Sequence, residues 1–203
     1  MRRLGLICLI GLMAFSGDAL ARPHRAPPPP PQQDYNPFSF LFNAAPAGVG
    51  EYRPQASAIP REVVGYSAGV PAGTVVINTS ERRLYYVLGG GQAIRYGVGV
   101  GRPGFEWSGS RYIASKRAWP DWTPPAEMLR RRPDLPRHMA GGINNPLGAR
   151  AMYLGGTLYR IHGSNEPETI GHAVSSGCIR MTNDDVVDLY NRVHVGTRVI
   201  VQR

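Results

Sequence analysis

Prolines at positions 120, 124, 125, 133, 136 and 146 forbid a long helix anywhere between residues 113 and 150. That stretch is predicted to be a structured loop laid over a sheet, with one short helix around residues 126–132. The sheet is read on either side of it. Upstream, residues 74–78, 84–88 and 93–100 are β-branched and aromatic runs, parted by Ser80, Glu81 and Arg82 and then by Gly89, Gly90 and Gly91. Three antiparallel strands in a meander are predicted. Downstream, residues 151–154 and 157–162 read as two more strands around the Gly155 and Gly156 turn. Thr182 followed three residues later by Asp185 marks a helix start, and Val186, Leu189, Tyr190 and Val193 then fall on one face. Gly196 is predicted to end that helix, and residues 198–201 return as a strand. The predicted fold is mainly β with one clear helix near the C-terminus.

The chain opens Met1-Arg2-Arg3, continues with an apolar run from Leu4 to Phe15, and reaches Ala19-Leu20-Ala21. A basic start, a short apolar core and small residues for cleavage have the order of a secretory signal, assigned to residues 1–21. The apolar run falls short of the roughly 20 residues that a bilayer-spanning helix needs, so an exported protein of the periplasm or cell wall is expected. Residues 22–68, with five prolines from Pro27 to Pro31, read as a proline-rich, disordered linker. Residues 69–203 are then one compact domain. A formal charge of +9 suits anionic surroundings, which outside the cytoplasm means cell-wall polymers, lipid head groups or acidic partners. Nucleic acid is disfavoured by the signal and by the lack of an interleaved basic and aromatic stripe; Arg130, Arg131 and Arg132 read as a solvated face. Trp119 and Trp122 read as pins for the long loop.

Cys8 leaves with the signal, so Cys178 is the cysteine that remains. Exported proteins usually pair their cysteines, and an unpaired one points to an intermolecular bridge or a reactive thiol. Ser175 and Ser176 just before it are poor company for an apolar core, which favours reactivity over burial as a small hydrophobe. A thiol with a pKa of ~8.5 needs a base or a positive neighbour to attack at neutral pH. His162, at the end of a predicted strand, supplies the base, and Gly163, Gly171 and Gly177 let the intervening loop fold back. The turn from Ser175 to Cys178 can aim backbone N–H groups at a developing oxyanion.

Together, His162-Gly163-Ser164-Asn165, Ile170-Gly171 and Ser175-Ser176-Gly177-Cys178-Ile179-Arg180-Met181, with Asn183 and Asp185, resemble the YkuD-type L,D-transpeptidase catalytic domain. The resemblance extends upstream through Gly73–Ile77 in sequence, Gly97-Val98-Gly99-Val100-Gly101 and Asn145-Pro146-Leu147-Gly148-Ala149. It implies a sandwich-like or barrel-like β fold, Cys178 as nucleophile, His162 as proton donor and acceptor, and oxyanion N–H groups from Gly177 and Cys178. Ser175 would orient the turn, Gly163 and Ser164 would support the histidine, and Arg180 would either brace the turn or hold a substrate carboxylate. The implied reaction takes an acyl group from a peptidoglycan stem tetrapeptide, releases the terminal D-alanine, and passes the acyl group to another stem, a D-amino acid or a protein such as an outer-membrane protein or lipoprotein. Water as acceptor would make it an L,D-carboxypeptidase. No cofactor and no metal are implied. Departures are Ser164 for threonine, Ser176 for histidine, and Glu106-Trp107-Ser108-Gly109 where many members have threonine-proline-x-glycine. Three rival readings fit less well. A zinc site of His162, His172 and Cys178 lacks the usual ligand spacing, and a papain-like protease would have the reverse order of cysteine and histidine. A non-catalytic wall-binding module would have no need of both His162 and Cys178.

Overall fold

The computed structural model describes residues 57–203. The signal segment, Cys8 and most of the expected linker lie outside the described residues. The meander is β2 (Val75–Asn78), β3 (Arg83–Gly89) and β4 (Gln92–Gly97), paired antiparallel. Gly89, Gly90 and Gly91 all adopt positive φ, which lets the chain reverse between β3 and β4 in a conformation costly to other residues. Val75, Val76 and Ile77 are all buried. Such a run, apolar on both faces, marks a strand deep inside the sheet.

The sheet begins earlier than the linker expectation allowed. β1 (Glu62–Gly65) pairs antiparallel with the edge of β4, and an ion pair joins Glu62 to Arg95. A two-valine run has no periodicity of its own, so the neighbouring edge specifies this strand. The loop, in turn, starts later than expected. β6 (Gly109–Ala118) pairs through Gly109 to Tyr112 with β11 (Arg198–Gln202), and from Ile113 onward with β7 (Arg150–Leu154). The register slips between Ile113 and Ser115, so this one strand carries the sheet from its first half into its second.

β7 pairs antiparallel with β8 (Arg160–His162), and β8 pairs parallel with β10 (Ile179–Arg180). The resulting order is β1-β4-β3-β2-β11-β6-β7-β8-β10, with β5 (Val100–Gly101) and β9 (Ala173–Ser175) forming a separate parallel pair. One core serves both halves: Val75, Ile77, Leu84 and Tyr96 from the first join Met152, Ile161 and Ile179 from the second.

In the long loop, α1 (Ala126–Arg131) forms where a short helix was expected, and it buries no residue. The loop is closed at its base, because Trp122 and Met139 exchange backbone hydrogen bonds of 2.8 Å and the Trp119 N–H donates to Ala149 O at 2.8 Å. α2 (Asn183–Arg192) is the clear helix, capped by Thr182, whose Oγ1 accepts from the Asp185 N–H at 3.2 Å. Its Val186 and Leu189 enter the core. It stops short of Val193, and Gly196, at φ +93°, turns the chain afterwards instead of capping the helix. Lys116 of β6 takes over at that end. Its ammonium donates to Tyr190 O at 2.6 Å and Val193 O at 2.5 Å and sits 4.0 Å from the centroid of the Tyr190 ring. The fold is mainly strand, with one clear helix, as the sequence predicts.

Candidate active site

Strand pairing sets the two candidate residues on one face. Arg180 lies opposite His162 in the β8 and β10 ladder. Side chains alternate along a strand, so Cys178, two residues before Arg180, falls on the same face as His162. The opposite face carries Ile161 and Ile179, both in the core.

His162 is buried at 5% exposure, and its Nδ1 stands 2.6 Å from Gly163 O. A carbonyl oxygen only accepts, so Nδ1 carries the proton and Nε2 is left with a free lone pair, the form a general base needs. Burial above all holds its pKa down to about 3; the Gly163 and Pro146 carbonyls oppose this, while the Arg180 and Arg160 charges reinforce it. The imidazole is neutral at physiological pH. Cys178 is a free, half-buried thiol. Burial pushes its pKa up, against the Arg160 charge, a hydrogen bond from the Arg160 backbone and the Arg180 charge, which all favour thiolate. The resting pair is therefore a neutral thiol and a neutral imidazole.

Ser175 binds the cysteine turn from within. Its hydroxyl donates to Cys178 O at 2.6 Å and accepts from the Gly177 N–H at 3.1 Å. The Gly177 N–H is thereby committed to Ser175, contrary to its expected oxyanion role, and Cys178 N–H is the amide of that pair left over. Gly177 has φ +101°, and a Cβ there would stand 2.4 Å from a ring carbon of Tyr159. Trp107 stacks on Tyr159 with centroids 4.7 Å apart and donates its indole N–H to Gly177 O at 2.8 Å. The motif did not expose these two aromatics. The one signal for Trp107 was its place in the departure from the threonine-proline pattern.

Ser164 is buried, and its hydroxyl accepts from the Glu166 N–H at 2.9 Å, which turns the chain away from the histidine. Gly163 fits tightly, since a Cβ there would meet Asn183 Oδ1 at 2.3 Å. That same oxygen accepts from the Ala149 N–H at 2.8 Å, tying the end of the long loop to the start of α2. Arg180 pairs with Glu166 at 2.7 Å and also donates to Thr169 Oγ1 at 3.4 Å, so it braces the loop between histidine and cysteine. Ser176, the other departure, accepts from Arg102 Nη1 at 3.3 Å. His172 is exposed on the loop, and no cluster of three metal-ligating side chains occurs among the described residues.

A family model for the YkuD L,D-transpeptidase catalytic domain matches residues 72–201. The chain belongs to this family. Among curated L,D-transpeptidases, the Probable L,D-transpeptidase YcfS of Escherichia coli K12 is 37% identical over 175 residues, covering 80% of this chain and 54% of that protein. YbiS of the same strain is 40% identical over 134 residues, 62% of this chain and 43% of its own length. The chain thus spans about half the length of these curated relatives. An L,D-transpeptidase from Mycobacterium smegmatis shares the fold, with a TM-score of 0.52 at 19% identity over 64% of this chain and 58% of that one. The L,D-transpeptidase family is one of transferases, and the residues that carried the resemblance in the sequence all lie within the matched range.

Proposed function

We propose that this protein is an exported peptidoglycan L,D-transpeptidase that works through a Cys178 thioester. The observation that carries this reading is the β8 and β10 ladder, which sets Cys178 and His162 on one face with the histidine neutral and its Nε2 lone pair free. In the first half-reaction, Cys178 Sγ bonds to the carbonyl carbon at the L-centre of the third stem residue, a diamino acid, while its proton passes to His162 Nε2. The amide C–N bond then breaks, and His162 returns that proton to the departing D-alanine amine. In the second, an acceptor amine attacks the thioester, gives a proton to His162, and the C–S bond breaks with the proton restored to sulfur. An N–H donor such as that of Cys178 contributes on the order of 3 kcal/mol at each tetrahedral stage. Acceptors consistent with this chemistry are a second stem, a D-amino acid or an amine on an outer-membrane protein or lipoprotein; water gives carboxypeptidase action. No cofactor takes part. A basic chain of charge +9 fits a polyanionic wall in the periplasm.

Intact-mass analysis after incubation with a carbapenem tests the nucleophile. One adduct per chain, lost in Cys178→Ala, is expected; no adduct, or one that survives the substitution, overturns the reading. Mass analysis of products from purified muropeptides then separates cross-linking, exchange, protein attachment and hydrolysis.

A further inference from the structure

The arginines near the reactive turn differ in what already holds them. Arg180 is paired with Glu166 and bonded to Thr169. Arg102 donates to Ser176 and lies over Phe105, 4.2 Å from the ring centroid. Arg131 also approaches Phe105, at 5.7 Å, and stands 4.0 Å from Glu127. Arg160 is held differently. Its guanidinium sits over the Tyr153 ring at 5.4 Å, it makes no ion pair among the described residues, and its Nε is sealed from solvent without a hydrogen-bond partner.

Arg160 is also aimed at the chemistry. Arg160 and His162 are two apart on β8 and share a face, while Ile161 between them enters the core. The β7 ladder places Tyr153 opposite Arg160. Continuing the β10 ladder by one residue beyond Ile179 and Ile161 brings Cys178 alongside Arg160, in keeping with the bond from the Arg160 backbone to the sulfur. A buried N–H donor left without a partner is costly, and a guanidinium fork matches a carboxylate in two parallel bonds. Arg160 is therefore a cation beside Cys178, on the same face, with an Nε–H that has no partner. Arg180, for which the resemblance left bracing the turn and holding a substrate carboxylate open, turns its Nη1 to Glu166 and Thr169 in the loop.

We infer that Arg160 binds a carboxylate of the acyl donor next to the scissile amide and selects donors that carry one there. This rests on the L,D-transpeptidase reading. Two donor groups share that chemistry: the free C-terminus of the departing D-residue and the second carboxylate of the diamino acid at position three. The first sits on the residue across the scissile bond and the second at the far end of the third residue's side chain; amidation removes either charge while leaving the scissile bond in place.

The test uses the full chain, as wild type, Arg160→Gln and Arg160→Lys, with synthetic stem tetrapeptides: the free acid, the C-terminal amide, and the amide of the diamino acid. The readout is release of the terminal residue by mass spectrometry at low substrate, giving kcat/KM. With the free acid, Arg160→Gln is expected to lose about 10- to 100-fold, the range of one charge-assisted hydrogen bond to a carboxylate. Wild type should lose a similar factor on one of the two amides, and on that amide the substitution should cost little more. The amide that erases the effect identifies the carboxylate. Arg160→Lys, which keeps charge without the fork, should recover part of the loss on the free acid and none on that amide. Full alkylation of Cys178 by neutral iodoacetamide in each variant shows that the thiol and its surroundings are intact. Equal losses on all three donors would overturn the inference, because Arg160 would then act on the thiol or the strand instead of the substrate. Failure of the underlying reading looks different: wild type would release nothing from any donor and form no carbapenem adduct.

Discussion

Cys178 and His162 are each held in their uncharged form, and this sets how the pair responds to pH. The histidine stays neutral down to about 3, and burial lifts the thiol above its ordinary range. Alkylation of resting enzyme by iodoacetamide, which needs thiolate, should therefore climb steadily with pH through the ordinary thiol pKa of ~8.5 and beyond. A plateau between about pH 5 and 8 would instead reveal a preformed thiolate and imidazolium pair and would refute the neutral resting state. Proton transfer then belongs to the attack itself, which suits a site where the carbonyl supplies the driving force. A second residue-scale expectation concerns Gly177. Alanine there meets both a φ of +101° and the Tyr159 ring at 2.4 Å, so the turn must shift and carry the sulfur with it. Gly177→Ala should lower donor turnover at least ~100-fold, since misplacing a reacting group by about an ångström costs that much. Turnover within threefold of wild type would show that the Tyr159 and Trp107 stack is free to yield.

Among the elements, α2 shows how a helix end is finished by a distant strand. Thr182 caps its start from within the sequence, but its last carbonyls of Tyr190 and Val193 are met by Lys116, 74 and 77 positions away. Lys116→Met keeps the length of the side chain and removes the donor, so it should cost about 1–3 kcal/mol, the penalty for orphaned carbonyls. Urea unfolding gives the comparison; an unchanged midpoint would mean that water replaces the ammonium at no cost. This division also explains what could be read ahead of the structure. The cap at Thr182 and Asp185, the meander and the glycine turn were legible because each is encoded within a few residues. β6 falls partly inside the predicted loop because Lys116 and Arg117 break its apolar pattern, and only the helix end explains the lysine. The motif is what put Cys178 and His162 forward together as candidates. Trp107 and Tyr159 were not, because nothing local to residue 107 announces a bond to Gly177.

For the whole molecule, residues 57–68, the described end of the segment read as linker, pack onto the folded domain. β1 covers the edge of β4, and a Cβ at Gly97 would stand 2.7 Å from Ile59 Cβ, so that side chain is packed against the sheet. Arg61 Nη1 lies 3.5 Å from Asp185 Oδ1 and 3.5 Å from Asp188 Oδ2. The Asp185 side chain is only 6% exposed and its Oδ2 has no hydrogen-bond partner, so Arg61 is a main source of compensation for a buried carboxylate on α2. A chain starting at residue 69, the boundary that composition suggests, loses all of this and bares a strand edge. It should melt at least ~4 °C below a chain starting at residue 57 at pH 7, since each kcal/mol is worth roughly 2–4 °C in a domain of this size. The pH dependence gives the sharper check. Burial already raises the Asp185 pKa, and loss of Arg61 raises it further, so the shorter chain suffers most where Asp185 must ionise. A carboxyl whose folded pKa is raised contributes stability that is whole below the unfolded value of ~3.9 and fades as pH climbs through the folded value. The gap in Tm between the two chains should therefore be widest near neutrality and narrow as pH falls toward 4. A gap that is constant with pH would assign the loss to the β1 and Ile59 packing alone and remove Arg61 from the account.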